Sequence, residues 1–174
     1  MDAHRLLSPR ITVLITTADK KGEADVAPYS FVMPVSFDPP MIAVGVAPQR
    51  HTMANINETG EFVVNLCTSE LTRSVMAAAR AWRPGLDKIG ESWLSKTPGK
   101  KVKAPRIKEA IAWMECKLEW SKLAGDHYIV VGKVVQTDGL SDVEKDGVVN
   151  LEKYPILMHL GGKQFIVPGT IVEV

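Results

Sequence analysis

The sequence predicts a mainly β fold, an antiparallel barrel with a few inserted helices. Short β-branched and apolar runs bounded by turns recur along the chain, at 11–17, 41–46, 61–66, 112–123 and 128–137. They do not alternate with helices as a doubly wound parallel sheet requires. Many antiparallel strands within 174 residues, a length that fits one domain spanning 1–174, favour a sheet closed on itself, which removes exposed edges.

Taken in order, Ile11 to Thr17 is β-branched and short and reads as a strand, and Asp19-Lys20-Lys21-Gly22 is a polar turn. Residues 23–35 continue extended, but Pro28 and Pro34 each remove a ladder donor, which predicts an irregular or edge strand whose backbone partly faces a ligand. Asp38-Pro39-Pro40 turns the chain into an apolar strand, Met41 to Val46. A short helix follows over 52–59, with Thr52 as N-cap and Gly60 at the C-terminal stop. After the strand 61–66, Leu71, Val75, Ala78 and Trp82 fall at i, i+4, i+7 and i+11, which predicts an amphipathic helix over 70–82. Residues 83–110, rich in Pro and Gly, form an excursion with a turn of helix near Asp87–Glu91. The strands 112–123 and 128–137 make a hairpin through Ala124-Gly125-Asp126-His127, and Pro155 to Leu160 is a last strand before Gly161-Gly162.

The formal net charge of +1 points to neither nucleic acid nor a membrane surface. The basic run Lys96-Thr97-Pro98-Gly99-Lys100-Lys101-Val102-Lys103 reads as a solvated loop. Cys67 and Cys116 have no metal-ligand spacing and read as reduced core thiols. No signal segment opens the chain and no apolar run approaches a membrane span, so the expected location is the cytoplasm. No G-x-G-x-x-G follows a strand, no P-loop or G-x-S-x-G elbow is present, and the four histidines lack zinc-hydrolase spacing; no metal site is expected.

One segment carries chemistry. Arg50-His51-Thr52 opens a helix, where free N–H groups, an arginine and a hydroxyl make a phosphate site; a capped surface helix with a solvated arginine is the other reading. The four tryptophans, Trp82, Trp93, Trp113 and Trp120, read first as core or interface residues and second as a shield over a bound ring.

Six short segments in order resemble the flavin reductase-like family of FMN-binding split barrels, over about Ile11 to Phe165. They are Ala27-Pro28-Tyr29-Ser30-Phe31, Val35-Ser36 with Asp38-Pro39-Pro40, Thr52 with Asn55-Ile56, Glu58 to Leu66, Gly125-Asp126-His127 and Leu160-Gly161-Gly162. The resemblance implies an FMN-binding split β-barrel of antiparallel Greek-key type, usually a homodimer. It implies that Ala27, Pro28, Tyr29 and Ser30 line the flavin and that Gly45, Val46 and Ala47 pass the ribityl chain. Arg50, His51 and Thr52 would take the phosphate. Asn65 would hold either the cofactor or a loop. His127 would stand on the nicotinamide or flavin N5 side, unless it is a turn histidine paired with Asp126. Met33, Arg50-His51 and Phe165 depart from the family's frequent Asn, Lys-Asp and Tyr. The implied activity is NAD(P)H-dependent flavin reduction, with electrons passed to flavin, ferric iron or a protein partner; the alternative is a flavoredoxin-like FMN carrier without NAD(P)H activity.

Overall fold

The computed structural model describes residues 3–81, 83 and 85–172. A single turn, α1 (Ala3–Leu6), precedes β1 (Arg10–Ile11), β2 (Val13–Ala18), β3 (Ala24–Tyr29), β4 (Val32–Phe37) and β5 (Pro40–Val46). Then come α2 (His51–Thr59), β6 (Glu61–Leu66), a 3-10 turn over Ser69–Leu71 and α3 (Thr72–Ala78). The excursion carries α4 (Lys88–Glu91), β7 (Lys96–Thr97) and β8 (Arg106–Ile107). The long hairpin β9 (Ala112–Ala124) and β10 (His127–Gly139) is followed by β11 (Glu144–Lys145), β12 (Val148–Val149), β13 (Met158–Gly161) and β14 (Gln164–Ile166).

Seven strands form one antiparallel sheet in the order β3-β2-β6-β9-β10-β5-β4, and β1, β13 and β14 form a smaller one. The large sheet is split: among the described residues no ladder joins its two ends, β3 and β4, so the expected closure does not occur. The two prolines account for it. Pro28 lies in β3 and Pro34 in β4, where the missing N–H is tolerated because the strand has only one paired side.

β2 is buried along its whole length. Val13 and Ile15 face a core with Val44, Met53, Ile56, Phe62 and Val130, while Leu14 faces a second core with Val26, Val75, Ile89 and Leu157. Burial on both faces explains why β2 reads as a continuous β-branched run rather than an alternating one. The second core is what α3, α4 and the excursion pack onto.

α2 ends as expected, with Gly60 in the left-handed region at φ 69° and its N–H bonded to the Ile56 carbonyl. Its start differs. Arg50 is the N-cap, in extended conformation and without a side-chain cap bond, and Thr52 is the second helical residue. Thr52 is buried, so its hydroxyl is committed inward rather than to the helix end. The helix expected over 70–82 is shorter, a 3-10 turn leading into α3 with Ala79 as its C-terminal cap; Trp82 and Pro84 lie outside the described residues. Of the tryptophans that are described, Trp113 packs against the second core, whereas Trp93 and Trp120 are exposed. Trp113 donates its Nε1–H to the Ile107 carbonyl at 2.7 Å, and the Arg73 guanidinium lies 4.4 Å over Trp93.

The basic run is solvated in its side chains, yet its backbone is committed to a buried acid. The N–H groups of Lys100, Lys101 and Val102 donate to the Glu115 carboxylate, which is 0 % exposed on β9. Arg106 adds its Nε–H at 2.6 Å and reaches Asp138 with Nη2 at 2.5 Å. Cys67 and Cys116 are buried free thiols, each pushed up to about 12 by burial. Among the described residues no helix is long and apolar enough to cross a membrane.

Candidate functional site

One cleft of about 1070 Å³ opens along the free edge of β3. An edge strand presents unpaired N–H and C=O groups, and here Ala27, Pro28, Tyr29 and Ser30 line the opening. Gly45 and Ala47, at the end of β5, form the opposite wall, and Arg50, His51 and Thr52 close one end. The other end is reached by His127, at the start of β10, and by His159 to Gly162, on β13 and its turn. Ten of the twelve residues singled out in the sequence therefore meet in one place.

The two that do not are Val46 and Asn65. Val46 is 0 % exposed and belongs to the first core, because alternation along β5 turns its side chain away from the cleft. Asn65 is also 0 % exposed. Its Nδ2 donates to the Leu14 carbonyl at 2.9 Å and to Thr16 Oγ1 at 3.1 Å, while its Oδ1 accepts from the Ile107 N–H at 2.8 Å. With donor and acceptor both spent inside the protein, Asn65 ties β2 to the excursion. Gly45 also has an internal reason to be glycine: a Cβ there would lie 2.9 Å from the Phe31 Cβ, and its N–H donates to the Phe31 carbonyl at 2.8 Å.

Sequence reasoning missed the floor of the helix end. Asp25, 1 % exposed on β3, faces Lys88 of α4, with Nζ 3.1 Å from Oδ1. Thr52 Oγ1 donates to Asp25 Oδ2 across a long 3.4 Å. The neighbouring Tyr29 phenol is pushed up to about 12, chiefly by burial and also by Asp25, against a hydrogen bond with Thr52 and the charge of Arg50. It is therefore a neutral donor at any ordinary pH. Arg50 makes no salt bridge or hydrogen bond from its side chain to the described residues. Nothing in the sequence pairs Asp25 with Lys88, which are joined only by folding. His159, in contrast, directly precedes the Leu160-Gly161-Gly162 segment and could have been flagged by it.

At the far end, His159 Nε2 lies 3.3 Å from the Gly162 carbonyl, which can only accept, so that nitrogen carries the hydrogen. Nδ1 then accepts from the Ser30 hydroxyl at 3.2 Å. His127 stacks obliquely on Phe31, with ring centroids 5.6 Å apart, and its Nδ1 lies 2.8 Å from Asp126, whose carboxyl this contact holds below its ordinary value. So His127 is both the turn histidine paired with Asp126 and a residue lining the cleft. All four histidines of the chain line this cleft, yet among the described residues no three metal-ligating side chains converge on a point.

The model of the flavin reductase like domain matches residues 5–165. The chain belongs to that family. A protein of Pyrococcus abyssi of uncharacterised function is 35 % identical over 166 residues, covering 95 % of this chain and 94 % of its own length. One from Methanothermobacter thermautotrophicus, also uncharacterised, is 37 % identical over 160 residues, covering 87 % of this chain and 74 % of its own. Among solved structures, nitrilotriacetate monooxygenase component B from Bacillus cereus superposes with a TM-score of 0.89 at 26 % identity, over 97 % of this chain and 88 % of that one. Flavoredoxin from Methanosarcina acetivorans gives 0.88 at 22 % identity, over 100 % and 92 %. The fold is that of the split-barrel flavin-binding proteins, and a flavin is the class of cofactor the family supports.

Proposed function

We propose that the cleft holds FMN, and that the protein is an NAD(P)H-dependent flavin reductase. The observation that carries this reading is Arg50. It stands at the N-cap of a nine-residue helix, at the end of a cleft walled by an edge strand, and its guanidinium pairs with no carboxylate among the described residues. A helix start with free N–H groups and a fixed cation favours a dianion, and Lys88 adds a second cation beside it. Tyr29 and Ser30, with the edge backbone of β3, offer the polar contacts that a buried heteroaromatic ring demands. FMN supplies the hydride- and electron-accepting chemistry when bound. The chain's residues orient it: Arg50, His51 and Thr52 at the phosphate, Ala27 to Ser30 along the ring, Gly45 and Ala47 beside the ribityl chain, and His127 where NAD(P)H would approach.

The electrons would pass on to free flavin, ferric iron or a protein partner; the likeness to a component of a monooxygenase supports the last of these. Phe37, on β4, is 96 % exposed, and Trp120 and Leu123, on β9, are exposed apolar side chains of the kind a homodimer would cover. Two reduced buried thiols suit the cytoplasm.

The test is the spectrum of freshly purified protein before and after anaerobic NADH or NADPH. Flavin absorption bleached by either nucleotide supports the reductase. A yellow protein that neither nucleotide bleaches is a flavoredoxin-like carrier. A colourless protein that does not take up added FMN ends the flavin reading.

A further inference from the structure

The pairing of His159 with Ser30 fixes what Ser30 can offer a ligand. On β13, His159 stands between Arg10 of β1 and Phe165 of β14. The Phe165 ring lies 5.2 Å from the imidazole, centroid to centroid, and Arg10 Cζ lies 5.3 Å from the ring centroid of Phe31, the residue after Ser30. The register of β13 on β14 slips between His159 and Gly161, and Gly162 follows in the left-handed region at φ 56°. The chain turns back there, and the Gly162 carbonyl meets His159 Nε2 at 3.3 Å.

With its hydrogen on Nε2, the neutral imidazole can only accept at Nδ1. There it takes the hydrogen of the Ser30 hydroxyl, at 3.2 Å. A hydroxyl has one hydrogen and two acceptor lone pairs. No other group among the described residues bonds to that hydroxyl. With its hydrogen spent on His159, Ser30 faces the cleft as an acceptor alone. A free hydroxyl turns to suit either a donor or an acceptor; one held in this way discriminates between them.

We infer that His159 is a positioning residue, which locks the Ser30 hydroxyl as an acceptor and so makes the cleft favour reduced over oxidised FMN. The inference rests on the flavin reading and deepens it. Two electrons and one proton from NAD(P)H, with a second proton from solvent, turn ring nitrogens N1 and N5 from bare acceptors into N–H donors. A locked acceptor matches the second state and opposes the first. Were the bond only a tie between the end of β3 and β13, its loss would weaken both forms alike.

Uptake of oxidised FMN is measured first, so that failure of the flavin reading is seen separately. The dissociation constants of oxidised and dithionite-reduced FMN are then measured anaerobically at one mildly alkaline pH, together with the midpoint potential of the bound flavin. His159→Phe keeps a ring beside Phe165 but releases the Ser30 hydrogen. It should shift the ratio of the two constants by about tenfold toward oxidised FMN, a fall of about 30 mV in a two-electron potential. Ser30→Ala should shift the ratio in the same direction. His159→Asn, whose Oδ1 can replace Nδ1 as the acceptor, should restore most of the parent ratio. Nitrogen NMR of the imidazole reads the tautomer without FMN, and should show a bare Nδ1 and a protonated Nε2 on His159. The inference is overturned if His159→Phe and Ser30→Ala keep the parent ratio, if His159→Asn does no better than His159→Phe, or if the hydrogen is found on Nδ1.

Discussion

Asp25 and Glu115 are both buried carboxylates, and both are met by the same excursion, yet they are served very differently. Glu115 receives three backbone N–H groups and the Arg106 guanidinium. Burial alone would raise its pKa, but these donors outweigh it and hold the carboxyl below the ordinary glutamate value. Asp25 has Lys88 at 3.1 Å and a stretched 3.4 Å contact with Thr52. The first cluster is saturated and lies away from the cleft, so its product is structure: it holds the 96–107 hairpin on β9. The second borders the cleft, and two of its neighbours, Arg50 and Tyr29, face the space where a ligand would sit. Incomplete internal pairing at a cavity wall marks the group left for something else.

The sharpest way to break this contrast is Glu115→Ala, which strands the buried Arg106 and three N–H groups. It should cost about 3–5 kcal/mol of stability by urea denaturation; a loss like that of a surface mutation would show that the cluster holds nothing. The same group sets an acid limb. Because its folded pKa lies below the unfolded one, its contribution is complete above the unfolded value, about 4.3, and drains away as pH falls through the lower folded value. Melting temperature in the parent protein should fall over that window, and Glu115→Gln should flatten the fall.

At the cleft the effect should appear in binding rather than folding. Arg50→Ala should weaken FMN by about 1.5–3 kcal/mol and leave riboflavin, which has no phosphate, little changed in a fluorescence titration; equal losses would remove Arg50 from the phosphate. The smallest effect is expected from Asp25→Asn. Removing the counter-charge of Lys88 should favour FMN over riboflavin by ~1 kcal/mol. A stability loss as large as that of Glu115→Ala, with no change in ligand preference, would erase the distinction between the two carboxylates.

Much of the cleft was legible because its parts lie in short local segments. Ala27 to Ser30 are the end of one strand and the residue after it, and Arg50 to Thr52 share one helix start, so local pattern and family resemblance find them together. Thr52 lines the cleft but does not cap the helix. A threonine before an apolar stripe looks like a cap, and only the packing of α2 against β3 shows its hydroxyl reaching Asp25. Asn65 and Val46 were drawn into the site by their neighbours, although alternation along β5 already put Val46 on the other face from Gly45 and Ala47. Lys88, Arg10 and His159 were missed because each comes from a segment distant in the chain, and no spacing rule connects Arg10 to Phe31 or His159 to Ser30.

By itself the sequence determined the main strands, one proline-interrupted edge segment over 23–35 and the helix start beyond it, since these follow from local propensity, turn residues and missing backbone donors; that the segment divides into β3 and β4 came from the structure. Tertiary structure alone decided that the two edges stay apart, that an excursion from beyond residue 83 sets a lysine under the cleft, and that Arg10 meets Phe31 at its far end. Those outcomes depend on which distant groups share a buried volume, and burial and charge pairing act through space rather than along the chain.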